Sequence, residues 1–97
     1  MGHAMTDEEM TRALRSVGYA AFVDHITVFD SGMSGVNAVA ELQERTGWAA
    51  SACHTRVSRA RSVIEAGRVT DALELIAASE RVSSQTRFKA RALLATV

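Results

Sequence analysis

The stretch between Gly47 and Gly67 constrains this chain most. Across residues 49–66, Ala50, Cys53, Val57, Ala60 and Ile64 recur at spacings of three and four, the period of a helix that buries one stripe. The opposite side carries Ser51, Thr55, Ser58 and Ser62, bordered by His54, Arg56, Arg59 and Arg61. Short hydroxyl side chains flanked by guanidinium groups form a surface that can approach a nucleic-acid groove, with arginines left for phosphates or guanine edges. Gly47 can take the left-handed conformation that turns a chain sharply between two helices. Trp48, directly after it, is expected to wedge into the angle they make, and Cys53 to be a small buried core residue.

The remaining sequence predicts more helices. Proline is absent from the 97 residues, the aromatics are three Phe, one Tyr and one Trp, and alanine, leucine, arginine and glutamate recur. That composition favours helix over sheet, and the expected fold is all-α, a single domain of about five or six helices. Thr6 followed by Asp7, Glu8 and Glu9 reads as a capping box, and Met10, Leu14 and Val17 carry the first helix to a stop near Gly18. Residues 19–29 are apolar on most sides and predict an inner helix, with a short strand at the β-branched end as the alternative. DSGMSG at 30–35 is a turn-forming cluster. A helix beginning near Ser34 then points Val36, Val39, Ala40 and Leu42 at the core. Thr70 is expected to cap a helix reaching about Ser79, with Ala72, Leu73, Leu75 and Ile76 on its apolar face. Ser83 or Ser84 caps a last helix carrying Phe88, Ala92, Leu93 and Val97 on one side.

Net charge is zero, but residues 1–44 hold seven acids and two bases, whereas residues 45–68 hold five bases and one acid. The positive charge is local to the stretch with the hydroxyl face. The early acids are expected to cap and solvate their helix and to keep the far side of the domain away from DNA. One cysteine forms no internal disulfide, and no secretory signal or bilayer-length apolar run is apparent, which predicts a cytoplasmic protein without membrane contact. Residues 1–5 read as a vector-derived start, which sets His3 aside. No glycine-rich phosphate loop, metal-spaced pair of cysteines or histidines, or nucleophile with a partner base is present, so no enzyme activity, cofactor or metal is expected. Asp24 and His25 are merely adjacent.

Thr46-Gly47, Ser51-Ala52, Arg56 and Ser58-Arg59-Ala60-Arg61 resemble the helix-turn-helix of the promoter-reading C-terminal domain of bacterial sigma factors, over about twenty residues. The wider layout, with two helices, a glycine turn and the motif mid-chain, is more similar to small plasmid repressors of the KorA/TrfB kind. That resemblance implies a bacterial helix-turn-helix repressor whose recognition helix starts near Ala49 and enters the major groove of double-stranded DNA. Ser51, His54, Thr55, Arg56 and Arg59 would be its contacts, with Ser58 and Arg61 on the same basic face. Alanines stand at 49 and 50, where those families often place a hydroxyl or charged contact. On this layout residues 6–67 form the DNA-binding region and residues 68–97 pair two copies. A homodimer would set its recognition helices one DNA turn, roughly 34 Å, apart on a palindromic operator. The second reading is a small helical protein-interaction module, an anti-activator or adaptor on the same scaffold.

Overall fold

A computed structural model describes residues 4–96; His3 and Val97 lie outside the described residues. Among them the chain forms seven α-helices and no strand. The first, α1 (Asp7–Val17), begins with both halves of the capping box in place: Glu9 N donates to Thr6 Oγ1 at 3.1 Å, and Thr6 N donates to Glu9 Oε1 at 3.0 Å. Its buried residues, Met10, Ala13, Leu14 and Val17, fall on one stripe. It stops at Gly18, whose φ of 92° and ψ of 130° lie in territory that side-chain-bearing residues avoid.

The expected inner helix over 19–29 is two helices, α2 (Tyr19–Asp24) and α3 (Ile26–Phe29), separated by His25 at φ −119°, ψ 19°. The physical reason is visible in the burial. Ala21, Phe22, Val23, Ile26, Val28 and Phe29 are all buried, and one straight helix has only one inward face for them. Bending the axis at His25 gives each half its own inward face, and it brings the rings of Phe22 and Phe29 to 6.3 Å in a stacked arrangement.

Ser34 caps α4 (Gly35–Thr46) by accepting from Asn37 N at 3.2 Å. Ala38 and Leu42 are its buried residues. Val36, expected in the core, is 80% exposed, and Ala40 is exposed as well; the stripe is set by 38 and 42, four residues apart, and 36 and 40 face away from it. After a three-residue joint, α5 (Ala50–Glu65) runs through the centre of the molecule against α1 on one side and α4 on the other. Cys53, Val57, Ala60 and Val63 are buried, whereas Ala50, at the helix start, is exposed and Ile64 is half-buried.

Helix α6 (Val69–Ala78) starts after Arg68, so Thr70 lies inside it and not at its cap. Helix α7 (Ser84–Leu94) is capped by Ser83, which accepts from Thr86 N at 3.1 Å. The two pack on each other, α7 also packs on α2, and α6 touches α1 and α5. Ala72, Leu73, Ile76, Ala77 and Ala90 thereby join the same core as the front of the chain. Part of the apolar faces of the last two helices is used within the chain, while Leu75, Leu93 and Leu94 stay half-buried. Phe88, expected on the apolar side of α7, is instead 71% exposed, and Ala92 is exposed with it.

Candidate nucleic-acid interface

The joint between α4 and α5 has the chemistry that its sequence suggested. Gly47 is left-handed at φ 75°, ψ 7°, and its N–H donates to Gln43 O at 2.7 Å, closing α4. Thr46 Oγ1 donates to Leu42 O at 2.8 Å and accepts from Trp48 N at 3.1 Å, which fixes the chain on both sides of the glycine. Helix α5 opens at Ala49, which has no side-chain cap. Half-buried Trp48 packs edge-on to His25, with ring centres 5.8 Å apart. The joint is thus braced against the bend between α2 and α3.

The outward side of α5 presents Ser51, His54, Thr55, Ser58, Arg59 and Ser62, all exposed. Shallow grooves flank this ridge. One, about 310 Å³, runs toward the start of α4 and is lined by Gly35, His54, Ser58 and Glu65 among others. The other, about 340 Å³, separates Arg59 and Ser62 from Glu9, Arg12 and Ser16 of α1. Helix α1 therefore lies beside the α5 ridge, and of its early acids Glu9 faces the groove next to Arg59 and not a far side of the domain.

Arg56 and Arg61, expected on that face, are turned inward. The Arg56 guanidinium donates to the carbonyl of Val17, at the end of α1, and lies 4.4 Å from the centre of the Trp48 ring. Its Nε is buried without a partner. Arg61 Nε donates to Phe29 O at 3.1 Å and Nη2 to Ser31 O at 3.4 Å, tying the end of α3 to α5. Both guanidinium groups are thus engaged within the chain, and Arg61 also lines the groove beside His54 and Ser58. The signal that could have found this is angular: at 100° per residue, 56 and 61 lie only about 60° and 80° from Cys53, on the edges of the buried stripe, whereas 59 lies about 120° away.

Donation to backbone carbonyls recurs among the arginines of this chain. Arg68 donates to Met5 O at 2.6 Å, to Asp71 at 2.7 Å and to Asp7; these carboxylate bonds raise its pKa above the ordinary value. Arg87 donates to Ser79 O and Val82 O at 3.1 and 2.9 Å, and Arg91 to Ala77 O at 3.3 Å. Five of the ten arginines thus hold backbone carbonyls. Arg12 and Arg45 make exposed pairs with Glu8 and Glu41 one helical turn away, worth little on a solvated surface. That leaves Arg15, Arg59 and Arg81, whose guanidinium groups have no partner among the described residues.

Half-buried His25, packed against Trp48, is a perturbed titrating group. Burial lowers the pKa of His25; Asp24 opposes the shift, while Arg45 and Lys89 add to it. Its Nδ1 is buried without a hydrogen bond. Among the described residues no group of three His, Cys, Asp or Glu side chains gathers to hold a metal, and no helix is long and apolar enough to cross a membrane. No protein family, curated protein or solved structure matches the chain.

Proposed function

We propose that this chain is a sequence-specific DNA-binding regulator whose α5 ridge enters the major groove, with Ser51, His54, Thr55, Ser58 and Arg59 as the reading side chains. The observation that carries the reading is the pairing of the left-handed Gly47 joint with a ridge of short polar side chains topped by a partnerless Arg59. Short hydroxyls permit close approach, and one free guanidinium suits bidentate contact with guanine. The regulator acts as a repressor, by occupying its site against polymerase. Since the buried residues of α6 and α7 belong to the chain's own core, a homodimer on a palindrome would pair through their outward faces, where α7 exposes Phe88.

The test is selection from a random duplex pool with purified protein, then titration of the enriched duplex at several salt concentrations. An enriched motif with a log–log salt slope of about −1 to −3 supports the reading, because few basic side chains on the ridge are free to displace counterions. A palindrome gives two copies; a single asymmetric motif gives one. Absence of any enriched sequence, with no binding at low salt, overturns it. The interaction-module reading, to which exposed Val36 and Phe88 lend an apolar surface, then takes its place.

A further inference from the structure

Two of the three partnerless arginines, Arg15 and Arg81, both exposed, line the same open surface cleft. It measures about 610 Å³ and lies between the end of α1, the start of α2 and the segment joining α6 to α7. Tyr19 and Val82, both half-buried, supply its apolar wall, and Ser83 and Thr86 at the start of α7 supply hydroxyls. Both hydroxyls are already engaged: Ser83 Oγ donates to Thr86 Oγ1 at 3.1 Å and accepts from Thr86 N. The loop itself is braced from within by Arg87, through the carbonyls of Ser79 and Val82. The Arg81 guanidinium makes no hydrogen bond or ion pair among the described residues.

A volume of this size is in the range of small-molecule sites, which are mostly apolar with a few polar groups that fix orientation. Two guanidinium groups on one mostly apolar cleft whose lining includes no acid favour a negative ligand. We propose that this open cleft binds a small anionic amphiphile, a carboxylate or phosphate ester whose head meets Arg15 and Arg81 and whose apolar body lies against Tyr19 and Val82. The cleft also includes Gly18, and the preceding residue, Val17, carries the carbonyl that Arg56 holds, so the cleft ends one residue from the tie that braces α5. The site stands whether or not α5 meets DNA.

The test is titration of the full ¹⁵N-labelled chain with octanoate and, separately, with octanol, followed by amide chemical shifts. Octanoate is expected to give saturable one-to-one shifts centred on Gly18, Ala20 and Ser83, and octanol to bind at least about tenfold more weakly, as the loss of a charge-assisted contact requires. The Arg15→Gln/Arg81→Gln variant, which removes no internal hydrogen bond, is expected to keep the same spectrum elsewhere and to lose about tenfold in octanoate affinity. Equal affinity for octanol, full affinity in the double variant, or shifts scattered over the surface without saturation would each overturn the assignment. The same experiment with octyl phosphate distinguishes the two head groups: tighter binding than octanoate assigns the phosphate ester, weaker binding the carboxylate.

Discussion

Replacing Arg56 and Arg59 by methionine, one at a time, separates the structural arginine of α5 from the one offered to a partner. Arg56→Met keeps most of the stem but removes a charged donor from the Val17 carbonyl, which costs about 1.5–3 kcal/mol. It also removes the cation stacked 4.4 Å from the Trp48 ring, about 1 kcal/mol at a half-buried position. Against this, the buried and unpartnered Nε disappears, which returns about 1 kcal/mol. The net expectation is a loss of about 2 kcal/mol, a drop in Tm of about 8–16 °C for a domain of this size. Arg59→Met touches none of these contacts and is expected to stay within about 0.5 kcal/mol of the parent. Urea unfolding followed by far-UV circular dichroism reads both. If Arg56→Met were as stable as the parent, or if Arg59→Met cost as much, the division of labour argued for α5 would be wrong.

Gly18→Ala is expected to destabilise by about 1–3 kcal/mol, because φ is +92° and an added Cβ would sit 3.3 Å from Arg56 Nη1; in an Arg56→Met background the steric part should vanish and the backbone part persist, as a double-mutant cycle would show. Burial holds His25 below its ordinary pKa of 6.5, so the unfolded chain takes the proton first: stability is full above about pH 6.5 and falls as pH drops below it. Urea midpoints across that range should show the slope, and His25→Gln should flatten it whatever its effect on the overall level. Cys53 is fully buried, with Sγ 3.8 Å from Trp48 O; reaction with a thiol reagent should be slow in buffer and accelerate with urea as the helices open. Rapid labelling of the native protein would show that α5 is less tightly seated than described.

Local signals were legible in the sequence where one short segment contains both halves of the physics. Thr6 and Glu9 bond each other's backbone, and Gly18, Gly47 and Gly67 sit at positive φ where the periodicity of the neighbouring helices stops. The hydroxyl ridge of α5 follows from spacing alone. The break at His25 was not legible, since no glycine or proline marks it; it arises because too many apolar residues in 21–29 must be buried at once. Nor were the inward turns of Arg56 and Arg61, whose acceptors lie 39 and 32 residues earlier. Composition presents such arginines as surface charge, and only the assembled core brings the ends of α1 and α3 within their reach. The outward position of Phe88 has the same origin: α7 is held by Thr86 and Ala90, and that choice of face depends on where α6 and α2 lie.

The guanidinium-to-carbonyl ties also bear on how this protein can drift in sequence. The donor must be arginine, because a lysine ammonium cannot reproduce the planar, forked geometry. The acceptor is a peptide oxygen, and every residue type carries one. Positions 17, 29 and 31 are thus free to change as far as these ties are concerned, while positions 56 and 61 are not. In sequences diverging from this one, Arg56 and Arg61 would persist with no covarying partner. That pattern is indistinguishable, position by position, from the invariance of a side chain that contacts a ligand.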